Sequence, residues 1–179
     1  MIKFKELNTN RFVLRQFKDE DIENVFKGLS HPDVIKYYGI SFETIEATQE
    51  QMDWFANNEK NGTGIWWAIY GKDDNVFYGA GGLNDIIKEH RKAEVGFWLL
   101  KEFWGKGIMI EVMPKIIEFG FEQLALNRIE GFVDSENQNC KKALSKLNFN
   151  YEGCMRDCEV KNGNYISLDI YAILKKSYR

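Results

Sequence analysis

Apolar positions along this chain change period several times, and each change predicts an element. Phe12-Val13-Leu14-Arg15 reads as a first strand. Asp19 then stands as an N-cap ahead of Ile22, Val25, Phe26 and Leu29, which share one helical face. His31-Pro32-Asp33 interrupts that helix, and Pro32 opens a short second one through Tyr38. Thr44 to Lys60 predicts a longer helix ending before Asn61-Gly62. Residues 64–70 (GIWWAIY) and 76–83 (VFYGAGGL) read as strands joined by the polar turn 71–75. Glu94 to Leu100 is the next strand.

From Lys106 to Glu122 the pattern is helical, with Ile110, Met113, Ile117 and Phe121 on one face. Pro114 near its middle is a departure, since an interior proline costs about 3 kcal/mol unless the helix kinks. Arg128 to Val133 predicts a strand, and Asn137 to Leu147 a helix with Ala143, Leu144 and Leu147 together. Two strands near 151–160 and 165–174 close the chain. The order β-α-α-β-β-β-α-β-α-β-β describes an α+β domain with a mixed sheet, not a doubly wound repeat.

Composition narrows the picture modestly. At 179 residues the chain is most simply one domain over 1–179, large enough to bury about 68–70% of its unfolded surface. Thirteen Phe, five Trp and eight Tyr supply both a core and the lining for a long, thin ligand. A net charge of -3 argues against a general nucleic-acid surface, although a local pocket still accommodates phosphate. Cys140, Cys154 and Cys158 form no complete disulfide set and no zinc spacing with His31 and His90, so they read as reduced thiols, with no metal site. The start of the sequence lacks a signal-peptide core, and no apolar run reaches the ~20 residues of a membrane span. The expectation is a soluble, cytoplasmic protein with no membrane partner.

Two segments carry candidate chemistry. Trp104-Gly105-Lys106-Gly107-Ile108-Met109 lies where strand periodicity hands over to helix. Glycines there let backbone amides approach an anion at a helix N-terminus, which suits a pyrophosphate. The same glycines would serve an ordinary strand-to-helix turn. The segment is no Walker A, because no Ser or Thr follows Gly-Lys, and no dinucleotide fingerprint, because Ile110 stands where a third glycine belongs. The second segment is Asn127-Arg128-Ile129-Glu130 leading to Asn137-Gln138-Asn139-Cys140. Asn137 reads either as a helix cap or as a partner for a ligand amide passing between strands.

Taken in order, these motifs resemble the GNAT superfamily of acetyl-CoA-dependent N-acetyltransferases, in particular its ribosomal-protein N-terminal (RimJ/RimL-like) branch. The resemblance runs from Thr9–Arg15 and Asp21, through Ala93–Leu99 and Phe103–Gly107 with Glu111, to Asn127–Ile129, Asn137, Leu147–Phe149, Glu152-Gly153, Asn162–Tyr165 and Tyr171. It implies a central, mostly antiparallel sheet of about seven strands, splayed between the fourth and fifth. It implies that the pantetheine arm of acetyl-CoA lies beside Trp98, Leu99 and Leu100. The pyrophosphate would sit on the amides of Trp104, Gly105, Lys106, Gly107, Ile108 and Met109, and Asn137 would face the arm. Met109 departs from the small residue usual there, and either crowds the phosphate or points away. Cys140 replaces a usual Ser, and Asn148 a usual Gly that tolerates positive φ.

The resemblance also implies acetyl transfer to a primary amine by direct attack in a ternary complex. The acceptor would be a peptide N-terminus, a polyamine or an amino sugar. Glu94, beside the expected thioester, is the first candidate for a water-mediated general base, with a salt-bridged strand carboxylate as the alternative. A strand N–H near Leu99 would polarise the thioester oxygen. Cys140 is a candidate proton donor or nucleophile, or a small packed residue. Tyr37 and Tyr38 fall where the branch has its acceptor loop, and read either as cover for a peptide or amine or as two tyrosines packing a helix–loop junction. Asp85 and Asp134 would join Glu94 in favouring a cationic amine. The competing class is a non-catalytic acyl-CoA-binding module. The aromatic segment Tyr165 to Tyr178 reads as an internal strand or as the seam of a homodimer.

Overall fold

The computed structural model describes residues 3–178. One eight-stranded sheet organises it: β1 (Leu7–Asn8), β2 (Phe12–Arg15), β3 (Ile65–Gly71), β4 (Phe77–Ile87), β5 (Lys92–Leu99), β6 (Arg128–Asp134), β7 (Asn150–Lys161) and β8 (Asn164–Leu174). Their spatial order is β1-β2-β3-β4-β5-β6-β8-β7. All neighbours are antiparallel except β5 and β6, which are parallel. The eighth strand is the two-residue β1, too short to leave a period in the sequence. The expected splay therefore lies between β5 and β6.

The helices are α1 (Ile22–Leu29), α2 (Pro32–Ile35), α3 (Ile45–Asn61), α4 (Ile108–Glu122) and α5 (Gln138–Lys146). Strand alternation sorts side chains between two cores. Ile65, Trp67, Leu83, Val95 and Ile129 join the core under α4 and α5. Trp66, Ala68, Ala80 and Trp98 join the core under α1 and α3. Among the described residues no helix is long and apolar enough to cross a membrane.

Several boundaries differ from the sequence reading for physical reasons. Asp19 does not cap α1 but begins a 3₁₀ turn over Asp19–Asp21. Asp21 is fully buried and carries the local interactions. Its carboxylate accepts two bonds from Arg15 (both 2.9 Å), one from the Tyr70 hydroxyl (2.5 Å) and one from the Lys18 amide (2.8 Å). Burial alone would raise its pKa, yet those donors hold it below the usual carboxylate range. Helix α2 stops at Ile35, so Tyr37 and Tyr38 lie in the loop beyond it. Ile110 is exposed, and the buried face of α4 runs instead through Met109, Val112, Met113, Ile116 and Ile117. Pro114 stays inside α4, where its carbonyl accepts from the Tyr178 hydroxyl at 2.9 Å. The aromatic C-terminal segment is internal, with β8 lying between β6 and β7.

One packing arrangement shapes the face that matters below. Trp66, Gly82 and Gly96 are in register on β3, β4 and β5. The Trp66 indole lies across both glycines: a Cβ at Gly82 would meet its Cγ at 2.4 Å, and one at Gly96 its Cη2 and Cζ2 at 2.6 Å. Trp54 and Phe55 of α3 hold the ring from above, at centroid distances of 5.8 and 5.5 Å. Gly96→Ala should therefore overpack this stack and destabilise by about 1–3 kcal/mol. In a domain of this size that lowers Tm by roughly 2–4 °C per kcal/mol in a thermal melt. An unchanged Tm would mean the indole is not seated there.

Candidate active site

The site begins where one ladder stops. β5 and β6 pair only at Lys92↔Arg128, Ala93↔Ile129 and Glu94↔Glu130. Beyond that rung β5 continues against β4 as far as Leu99, and β6 against β8 as far as Asp134. Their facing edges diverge and leave a cleft bordered by strand backbone.

The two walls of the cleft end in helix N-termini. After β5, a 3₁₀ turn over Lys101–Phe103 leads to Gly105 and Gly107, whose φ values are 75° and 72°. Both glycines border open space, so positive φ rather than crowding requires them. Gly107 is the N-cap of α4 and supplies no side-chain cap. The first amides of that helix thus have no intrahelical acceptor. Trp104 leaves the expected amide set, because its N–H already donates to the Lys101 carbonyl at 3.2 Å. Its indole folds the loop back, with Nε1 donating to the Leu99 carbonyl at 2.9 Å. Lys101 lies over that ring at 4.1 Å.

Met109 is buried in the α4 core, so its side chain points away from the loop amides and does not crowd them. Ile108 is buried there too. Trp98 and Leu100 pack under α1 and α3, while Leu99 packs under α4. The Leu100 amide donates to the Tyr78 carbonyl at 2.9 Å, so alternation turns the backbone groups of Trp98 and Leu100 toward β4 and those of Val95, Phe97 and Leu99 toward the cleft. There the Leu99 carbonyl is taken by Trp104 and its N–H is left for a ligand. Glu111, in the first turn of α4, accepts from the Arg11 amide (2.9 Å), Arg11 Nε (2.6 Å) and the Thr9 hydroxyl (2.7 Å). Arg11 also reaches the Lys106 carbonyl at 3.3 Å, which ties the loop to the start of β2.

On the other wall, Asn137 caps α5 through Oδ1, which accepts from the Cys140 amide at 3.1 Å. Capping uses the carbonyl end of that side chain and leaves its NH₂ free to donate, so the two readings of Asn137 coexist. Cys140 packs partly against the core, and burial pushes its thiol up to about 12. That thiol keeps its proton at neutral pH.

Glu94 stands at the fork. It shares a sheet face with Gly96 and Trp98 on β5, and with Glu130, Phe132 and Asp134 on β6. Burial, then the negative charges of Asp85, Glu130 and Glu159, push its carboxyl up to about 7. The counter-charges on this face serve other groups: Glu130 accepts from Lys92 and Arg128, each at 2.7 Å. Tyr38 is near enough to Glu94 for that charge, added to burial, to raise the phenol. Trp66 and Trp98 both carry a buried indole N–H with no acceptor among the described residues. Each such donor costs roughly 1–3 kcal/mol, and both lie on this face.

The structure thus gathers Glu94 and Tyr38 on one side of the splay, with the Gly105–Met109 loop after β5 and Asn137–Cys140 after β6 on its two walls. Tyr37 is partly exposed beside Tyr38, with the Lys36 ammonium 4.9 Å from its ring. Sequence reading missed Trp66, Phe132, Glu159 and Lys161. The β3–β4–β5 register that sets Trp66 over two glycines is non-local, although the unusual GAGG run on β4 was a usable signal.

Residues 11–150 match the family model described as an acetyltransferase (GNAT) domain. The chain belongs to the GNAT family. It is 34% identical over 173 residues to the uncharacterized N-acetyltransferase YoaA of Bacillus subtilis (strain 168), covering 96% of this chain and 98% of that protein. Its fold is similar to that of RimL, a ribosomal alpha-N-protein acetyltransferase solved with coenzyme A (TM-score 0.85, 19% identity, 95% of this chain and 98% of that one). It is also similar to spermidine N-acetyltransferase from Vibrio cholerae in complex with CoA and spermine (TM-score 0.83, 20% identity, 94% and 98% covered). The chain is an N-acetyltransferase of that family.

A base with a pKa of about 7 gives kcat/KM an acidic limb near neutrality, because only the ionised carboxylate accepts a proton. Glu94→Gln should remove that limb and cut kcat by about 100-fold. The raised pKa also sets a sign for stability. Burial penalises the charged form, so Glu94's contribution is fully present below its unfolded pKa of about 4.3 and is lost as pH rises through the folded value. Glu94→Gln should accordingly raise Tm more at pH 8 than at pH 5. An unaltered acidic limb in the Gln variant would exclude Glu94 as the base.

Proposed function

We propose that this chain acetylates a cationic primary amine by direct attack on acetyl-CoA within a ternary complex. The observation that carries the reading is Glu94 at the last rung of the β5–β6 pairing, desolvated and held at about 7 beside an open cleft. In this reading the pantetheine arm enters the cleft beside Trp98, Leu99 and Leu100 and completes the strand edge through the backbone groups of Val95, Phe97 and Leu99 that face away from β4. The pyrophosphate rests on the amides from Gly105 through Met109, and the Asn137 NH₂ donates to the arm. An N–H near Leu99 polarises the thioester oxygen.

The acceptor binds on the Tyr37–Tyr38 side and gives up its proton to Glu94, through water, before attack. A proton moves from an α-amine (pKa about 7.7–8.0) to a base near 7 at a cost of about 1 kcal/mol, and from a lysine-like amine (about 10.4) at about 5 kcal/mol. Both routes lie within reach of an enzyme. The negative charges of Asp85, Glu130 and Glu159 around Glu94 favour a cation in either case. Peptide N-termini and polyamines are therefore the acceptors to try first, which accords with the names of the RimL and spermidine enzymes. The coenzyme leaves as a thiolate. Cys140 contributes a weak S–H hydrogen bond to the departing sulfur; a ping-pong route would need its thiolate, which burial disfavours.

Two measurements test the reading. Gly107→Val places a β-branched residue at positive φ, a strain of about 1–2 kcal/mol that leaves the domain folded but distorts the phosphate cradle. Acetyl-CoA affinity should drop at least about tenfold, equivalent to 1.4 kcal/mol, with circular dichroism unchanged. Unchanged affinity would remove the loop from the site. Wild-type protein incubated with acetyl-CoA and a panel of peptides, polyamines and amino sugars should release free thiol. Binding without release across the panel would favour a non-catalytic acyl-CoA module.

A further inference from the structure

The β7–β8 hairpin contributes a contact that the acetyl-transfer chemistry leaves unexplained. Lys161 is the last residue of β7 and pairs with Asn164 across the Asn162-Gly163 turn, where both residues have positive φ as a tight hairpin requires. Two register shifts, at Tyr151/Gly153 and Met155/Glu159, bend β7 on its way to that tip. The Lys161 ammonium reaches the loop that follows α2. It donates to the carbonyls of Ile35 (3.0 Å), Lys36 (2.8 Å) and Tyr38 (2.7 Å). An ammonium has three N–H donors, and here all three are used. Those carbonyls lie at the end of a four-residue helix and in the turn beyond it. The Ile35 carbonyl also accepts from the Tyr38 amide at 3.0 Å, so the ammonium adds to one turn bond and supplies a donor to the Lys36 and Tyr38 carbonyls.

Few other contacts position this loop from outside. Tyr38 packs against the core under α1 and α3, and the Phe42 amide donates to the Leu29 carbonyl at 3.0 Å. The hairpin tip also carries Glu159, one of the charges acting on Glu94. One lysine therefore joins the strand pair that acts electrostatically on Glu94 to the loop whose tyrosine lies within electrostatic reach of it. Asp134 and Glu159 flank the ammonium and favour its charged form against the burial that draws it below the usual range.

We propose that Lys161 is a positioning residue for the acceptor: it fastens the α2 loop to the β7–β8 hairpin, holds Tyr38 over Glu94, and so sets affinity for the amine without setting affinity for acetyl-CoA. The inference rests on the assignment of the Glu94–Tyr38 face to the acceptor. An ordinary structural lysine would lower stability and reduce both substrate affinities together. A positioning lysine separates them, because the Lys161 ammonium bonds only to the α2 loop, and the link from α2 to the turn before the acetyl-CoA loop, Asp33 with Lys101 at 3.1 Å, is an exposed ion pair that transmits little.

The test uses the full chain as wild type, Lys161→Met and Lys161→Arg, with spermidine and an N-terminal seryl peptide as acceptors. In Lys161→Met the KM for the better acceptor should rise about tenfold while that for acetyl-CoA stays within about twofold, as expected when a loop is misplaced but its partner site is untouched. Lys161→Arg, which keeps the charge and can still donate to the carbonyls, should recover most of the acceptor affinity. Without substrates, amide hydrogen exchange over residues 33–40 should quicken in Lys161→Met, because a pinned loop opens less often. Unchanged exchange would overturn the latch and leave the assignment of Glu94 standing. Faster exchange with an unchanged acceptor KM, or with both KM values raised alike, would overturn the positioning role. Wild-type protein that turns over neither acceptor would overturn this inference together with the acceptor-side assignment beneath it.

Discussion

The pairing of β5 with β6 lapses after Glu94↔Glu130, and the rest of the site depends on that lapse. Backbone N–H and C=O groups bordering a cleft need partners from water or a ligand, because leaving them dry is costly. Two strands that separate while each remains held on its outer side present a slot edged with donors and acceptors. β4 and β8 supply that outer support. The α4 N-terminus, opened by Gly105 and Gly107, and the α5 N-terminus, capped by Asn137, stand together at its open end, one on each wall. An extended amide-bearing chain that terminates in phosphates matches both features, and acetyl-CoA has that form.

The same rung settles where a base can act. Glu94 is the last residue paired before the strands separate, so its carboxylate lies beside the slot and not within the continuous sheet. Trp66 lies across Gly82 and Gly96 next to it, and Tyr38 approaches from the α2 loop. Apolar cover and like charge act in the same direction on its pKa. Two neighbouring carboxylates illustrate the contrast. Glu130 holds Lys92 and Arg128 and titrates low despite its burial, whereas Glu94 has no such partner and titrates near neutrality. Only the second is suited to exchanging protons near pH 7.

Most elements were legible because they depend on local period. The alternation in GIWWAIY, the glycine-rich handover at Trp104–Met109 and the apolar faces of α1 and α5 were all read from neighbours in sequence. Long-range interactions account for the differences. Asp21, not Asp19, organises the entry to α1 because Arg15 and Tyr70 converge on its carboxylate. Met113, Ile117 and Phe121 of α4 are buried as expected and Ile110 alone faces outward, because the buried face widens through Met109, Val112 and Ile116. Within the site, most residues proposed to face the cofactor fall in one stretch, Trp98 to Met109, whose aromatic run and glycines carry a local signal. Trp66, Phe132, Glu159 and Lys161 reach the acceptor side through sheet register and a bent hairpin, which no local pattern records.

The most direct test of the account is an amide NMR titration of the isotope-labelled protein with acetyl-CoA. The account predicts the largest shifts along Val95 to Leu99, Gly105 to Met109 and Asn137, tracing one path through the β5–β6 cleft. Shifts confined elsewhere, for instance to the groove between α4 and α5 near Pro114 and Leu147, would contradict it.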